Sequence, residues 1–261
     1  MRTELLLLAA FLLPALRAWQ QPVPLDQVLP RIQANVAQFT ASLPDFVCNE
    51  KITSSKLSGG NVTKQNVNES TFVGVQKRNE RGGLQYQETR EVTAVDGKKA
   101  GKSQKLKGPF LLTGGFSGIL SAAFDAHVAP ARNYKLEAAE PLNGKTMLVV
   151  AFSTKESQAD IGANLGRKGF RQQDTGRIWV DPESMQVARL ESLIVNTPGD
   201  YPLWFTSVDY ARVEIGGKAF WMPKFVRSEL RKSSSEQPVK RFEAEYTKYR
   251  KFDVSSGIVS N

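Results

Sequence analysis

"GRIWVDPESMQVARLES", residues 176–192, is the stretch whose reading decides the fold. Its apolar run from Arg177 to Val180 and the next, from Val187 to Val195, flank a break at Asp181-Pro182-Glu183-Ser184. Proline presets φ at the second position of a type I turn, and an aspartate at the first bonds back to the backbone, so the two runs are expected to pair as antiparallel strands. Strand, turn, strand recurs in both directions. Downstream, LWFTSVDYARVEI and KAFWMPKFVRSELRKSS meet at Gly216-Gly217, and in VKRFEAEYTKYRKF the residues Phe242, Ala244 and Tyr246 alternate with Arg241, Glu243 and Glu245. Upstream, Asn143-Gly144 is a strong hairpin signal between strands near 133–140 and 145–153. Segments near 46–57, 67–79 and 84–95 alternate too, with NERGG (79–83) and VDG (95–97) as turns.

Two segments depart from this rhythm. Leu25, Val28, Leu29, Ile32, Val36, Phe39 and Leu43 recur at spacings of three and four, the stripe of an amphipathic helix over 25–43. Pro30 lacks an N–H, so the regular part of that helix is expected to begin within a turn of it. Phe116, Ile119, Leu120, Ala123 and Phe124 fit a second, short helix. Residues 155–173, rich in Gly and charge, read as a loop. A large antiparallel sheet with short connections curls and must cover its apolar face. The expected fold is α+β, mainly β: a strongly curved antiparallel sheet, an open half-barrel of about nine to eleven strands, with helices on the concave face.

The first residues place Arg2 before an apolar run from Leu5 to Leu16, with Ala18 beyond it, the pattern of a secretory signal over 1–20. That run is too short to cross a bilayer, which takes roughly 20 residues, so residues 21–261 are expected to form one exported, periplasmic domain without a transmembrane segment. Cys48 is the only cysteine, which rules out an internal disulfide. The net charge of +9 suits anionic headgroups or acidic glycans. Nucleic acid is not expected, because the basic residues fall in no recognised motif. Asn61-Val62-Thr63 and Asn68-Glu69-Ser70 fit the glycosylation pattern, which is common by chance in such a loop-like composition.

Residues for catalysis are scarce. His127 is the only histidine, so any Ser-His or Cys-His mechanism must use it. Ser117 in GGFSG does not match the nucleophile elbow, since Gly118 follows it directly. One His and one Cys exclude the common zinc sets, no calcium loop is present, and no cofactor is expected. Glu243 and Glu245, two apart on a strand, read as solvent-facing. The loop Gly162–Phe170, with Arg167 and Lys168, lacks the Gly-Lys-Ser/Thr ending of a phosphate loop.

The order of phrases over 171–253 resembles the outer-membrane lipoprotein-sorting superfamily, half-barrels of the LolA, LolB and RseB type. The matching positions are Gly176, Trp179, Asp181, Pro182, Arg189 and Glu191, then Gly216, Gly217, Trp221 and Pro223. The resemblance implies a concave apolar surface that holds an acyl chain or a peptide partner, and it transfers no functional residue. Trp179, Trp204, Phe205 and Trp221, with Phe116 and Ile119, are the expected ligand-binding residues, although large aromatics on a curved sheet equally fill a core. The expected function is non-enzymatic binding of a lipid or lipoprotein acyl chain. The alternative is an interaction or envelope-sensing module whose concave face is permanently filled and which meets an envelope protein. Ester, glycoside and peptide substrates are therefore expected to show no turnover that His127→Ala abolishes, a point settled by a substrate screen of both proteins.

Overall fold

The computed structural model describes residues 24–78, 84–112, 120, 123–124, 128–155, 162–165, 168–232 and 237–252. Its described residues include one long helix, α1 (Leu25–Ser42), and thirteen strands: β1 (Phe46–Ser58), β2 (Asn61–Arg78), β3 (Leu84–Val95), β4 (Lys98–Lys99), β5 (Arg132–Leu142), β6 (Lys145–Thr154), β7 (Gly162–Leu165), β8 (Lys168–Arg171), β9 (Asp174–Val180), β10 (Val187–Ile194), β11 (Leu203–Ile215), β12 (Lys218–Arg231) and β13 (Pro238–Lys251). Eleven strands form one sheet in the order β4-β3-β2-β1-β13-β12-β11-β10-β9-β6-β5, which is not closed. Every pairing in it is antiparallel.

Most neighbours in the sheet are neighbours in sequence, as expected of short hairpins, with two departures. The first and last long strands pair, Phe46 opposite Lys251 through Lys56 opposite Lys240. Strand β6 pairs directly with β9. The intervening segment, expected as a loop, contains a separate two-stranded ribbon in which Gly162 lies opposite Arg171 and Leu165 opposite Lys168. Its connection is only two residues long, short enough for a hairpin despite the glycines. At Asn143-Gly144 and Gly216-Gly217 all four residues have positive φ, the conformation of a two-residue turn that matches strand twist. The 181–186 turn behaves as its sequence predicts: the Asp181 carboxylate accepts the backbone N–H groups of Glu183 and Ser184 at 2.9 and 3.0 Å.

Helix α1 lies on one face of the sheet. Its stripe buries Val28, Ile32 and Val36 completely or nearly so, in one cluster with Phe46, Ile52, Phe72, Ile178, Leu190, Val208 and Phe242. Pro30 stands inside the helix, which begins at Leu25, so the regular structure starts earlier than the missing N–H alone suggests. Burial of the stripe outweighs the one lost bond. Asn35 reaches across and donates to the carbonyls of Ser184 and Met185 at 3.0 and 2.8 Å, and Gln76 donates to the Thr40 carbonyl at 3.0 Å. The segment after β4 joins the same face: Ser54 donates to the Phe110 carbonyl and accepts the Phe110 N–H. Leu120, Ala123 and Phe124 are helical and buried there, as expected.

Two glycines let aromatic rings lie flat across neighbouring strands. Gly74 faces Phe46, and Gly176 faces Phe152. A methyl group on Gly176 would come well within 3.0 Å of the Phe152 ring and of the Glu191 carbonyl, and one on Gly74 would strike the Phe46 ring. Gly176→Ala is expected to cost about 1–3 kcal/mol of stability through overpacking, measured by urea unfolding.

Candidate functional site

Adjacent residues on a strand point to opposite faces, so an eleven-stranded sheet presents two surfaces that must be considered separately. Among the described residues, the face under α1 is closely packed along the helix stripe. The space bounded by Ile32, Val36, Phe39, Leu120, Met185, Val187, Tyr210 and Trp221 is about 10 Å³, close to the least that holds one water. Two buried charged groups on this face, Glu50 and Asp174, are paired, whereas the buried Tyr210 hydroxyl has no hydrogen-bond partner among the described residues. Glu50 accepts from Arg90 at 2.8 and 3.1 Å and from Ser70 at 2.8 Å, while the Arg90 guanidinium lies 4.6 Å from the Phe72 ring centroid. Asp174 accepts from Arg132, Thr154, Gln172 and Ser192, and the Arg132 guanidinium lies over the Phe152 ring. Each pair brings its desolvated charges enough partners to tolerate burial, which is a structural role. Cys48 is fully buried, and burial pushes its thiol up to about 12, so it is inert at neutral pH rather than half-accessible.

The outer face carries the larger concavity, about 650 Å³, across β5, β6, β9, β10 and β11. Small side chains from Ala151, Ser153 and Thr175 form its floor, and Leu193 and Phe205 its apolar wall. Register places these residues together: Ser153 opposite Thr175, Thr175 opposite Leu193, and Leu193 opposite Phe205. The next row holds Ala151, Arg177 and Glu191. Arg177 stands directly opposite Glu191 yet gives its hydrogen bonds to Glu137 and Glu140 on β5. Arg189, two residues along β10, bonds Asp209 at 2.5 Å. Both neighbouring arginines are thus committed elsewhere, and Glu191 has no hydrogen bond or ion pair among the described residues. Burial pushes the Glu191 carboxyl above its ordinary value, and Arg189 and Arg177 only partly oppose this.

The expected binding residues do not form one group. Trp204 lies on the inner face, edge-on to Phe110 at 6.4 Å, and donates to Ser228. Phe205, next to it, lines the outer concavity. Trp179 is also on the outer side, in a small cluster with Leu142, Met147, Val149 and Ala188, donating to Glu140 and lying under the Arg177 and Arg189 guanidinium groups. Trp221 packs against both clusters. Phe116, Ile119, Ser117 and His127 lie outside the described residues, as do the signal segment and Arg167. Glu243 pairs with Arg227 at 2.9 Å on the outer face. Asn68 is fully buried, with its amide bonded to the Lys107 backbone, which is incompatible with carrying a glycan. Among the described residues there is no group of three or more His, Cys, Asp or Glu placed for a metal ion, and no helix long and apolar enough to cross a membrane.

Glu191 appears in the sequence within the Arg189-x-Glu191 phrase, but only as part of a hairpin. Its neighbour Arg177 follows from the β9–β10 hairpin, but the floor of Ala151 and Ser153 beyond depends on the β6–β9 pairing, which no local pattern announces.

No family model and no curated protein matches this chain. Solved structures do. A DUF1329 family protein from Desulfovibrio piger has a TM-score of 0.46 at 10% identity, covering 89% of this chain and 94% of its own. A putative outer membrane lipoprotein-sorting protein domain from Vibrio parahaemolyticus has a TM-score of 0.44 at 12% identity, covering 86% and 92% respectively. A LolA superfamily protein from Nitrosomonas europaea has a TM-score of 0.39 at 13% identity, covering 92% and 98%.

A raised carboxyl pKa means the charged form destabilises the folded chain above that pKa, and the penalty disappears once pH falls below the ordinary glutamate value. Besides Arg189 and Arg177, the charges acting on Glu191 are those of Asp209 and Glu140. Glu191→Gln is therefore expected to be more stable than the parent at pH 7 and no more stable in acid, as measured by urea unfolding across pH.

Proposed function

We propose that the protein is a non-enzymatic binding protein of the cell envelope, exported to the periplasm, whose trough is filled by its own roof and which meets its ligand or partner on the outer face. One observation carries this reading: among the described residues, the space beside α1 bounded by Ile32, Val36, Phe39 and Tyr210 is about 10 Å³, against about 650 Å³ for the concavity on the opposite side of the sheet. The apolar segment at the start of the chain supports export, and the scarcity of nucleophile and base pairs supports binding without catalysis.

A second reading, an acyl-chain carrier that opens the trough, draws support from the roof's few polar ties, those of Asn35 and Gln76 among them. Magnitudes weigh against it. Exposing Val28, Ile32 and Val36 costs roughly 5–9 kcal/mol at about 1.5–3 kcal/mol per side chain, and a sixteen-carbon chain gains roughly 12 kcal/mol by burial. Association itself costs an estimated 4–15 kcal/mol, which leaves little or nothing for affinity.

Delipidated protein titrated with a fluorescent fatty acid, with hydrogen exchange followed at α1, separates the two. The filled-trough reading expects α1 amides to keep their protection at saturating probe. Uptake accompanied by loss of that protection establishes the carrier instead.

A further inference from the structure

We propose that the outer concavity is a binding site for an apolar-bodied organic cation of the long-chain alkylammonium class, with its chain along Ala151, Leu193 and Phe205 and its charged head at Glu191. This inference rests on the reading that the outer face is the binding surface.

The geometry is unusual for this face. Glu137, Glu140, Asp209, Glu229 and Glu243 each have an arginine partner across the strands. Glu191, in the same field of charges and half-buried, has none among the described residues. A carboxylate held partly out of water without a donor is costly, so its retention beside a concavity large enough for an organic ligand is explained by a donor that arrives with the ligand. The apolar part of the same ligand has a matching surface. Small floor residues leave depth between the Phe205 and Leu193 side chains and the strands opposite. An ammonium head also suits the field: the Arg177 side chain is drawn toward Glu137 and Glu140, which together outweigh its charge. Lys135, exposed on edge strand β5, is the remaining cation of the rim. It offers an anion a contact that is open to water and worth little.

The test uses dodecylamine at neutral pH and dodecanoate, both below their micelle-forming concentrations, titrated calorimetrically into the intact chain and into Glu191→Gln and Ala151→Trp. Glu191→Gln keeps the side chain's shape, so a folding defect does not confuse the result, and Ala151→Trp fills the floor. The expected outcome is dodecylamine binding about tenfold or more tighter than dodecanoate, with the preference lost in Glu191→Gln and binding of both lost in Ala151→Trp. Equal or tighter binding of dodecanoate that Ala151→Trp abolishes overturns the cation assignment while leaving the outer face as the binding surface. Binding of either probe that Ala151→Trp leaves intact but that strips protection from α1 overturns the outer-face reading itself. Absence of binding by both probes overturns the cation site.

Discussion

Pairing of β1 with β13 is the constraint on which the molecule depends. The hairpin stack β4-β3-β2-β1 and the stack from β13 back to β5 are otherwise two separate meanders, each with an apolar face too large to leave in water. Joined edge to edge from Phe46 and Lys251 to Lys56 and Lys240, they become one sheet whose single inner face a helix of eighteen residues can help cover. The pairing is long-range, so it forms against a large loop-closure cost, which the apolar burial of the joined sheet helps to offset.

The two halves of this sheet use the same devices without a sequence repeat. In one, Phe46 lies over Gly74 and Arg90 over Phe72; in the other, Phe152 lies over Gly176 and Arg132 over Phe152. Each arginine is fixed by a buried carboxylate, Glu50 or Asp174, that has further donors of its own. These two carboxylates thus sit at stations where they are satisfied, and most of the surrounding inner face packs apolar side chains. The outer face follows a different logic, since its charges pair across strands in water and Glu191, half-buried and without a side-chain partner among the described residues, lies beside a hollow of about 650 Å³.

Some of this was legible from residue order. The helix stripe, the turns at Asn143-Gly144, Asp181-Pro182 and Gly216-Gly217, and the open antiparallel sheet were all written in local periodicity and turn chemistry. Glycine at 176 was visible as part of a phrase, but its reason, the ring of Phe152, comes from a strand more than twenty positions away. The described aromatic residues expected as a ligand surface divide between the two faces for a simple reason. Trp204 and Phe205 are neighbours on one strand and cannot face the same side, and Trp179 falls on the face with Val149.

What the amino-acid sequence alone determined is the identity of each element and the alternation along it, because both arise from interactions between near neighbours: φ preferences at turns, and the periods of two and of about 3.6 that amphipathic strands and helices impose. Which strands meet was decided only in three dimensions. The direct contact of β6 with β9, past the β7–β8 ribbon, places Ala151, Arg177 and Glu191 in one row, and the seating of α1 on the opposite face buries Val28, Ile32 and Val36 in the core cluster. Neither outcome has a local signature, because each is set by which surfaces lose the most contact with water when the whole chain closes.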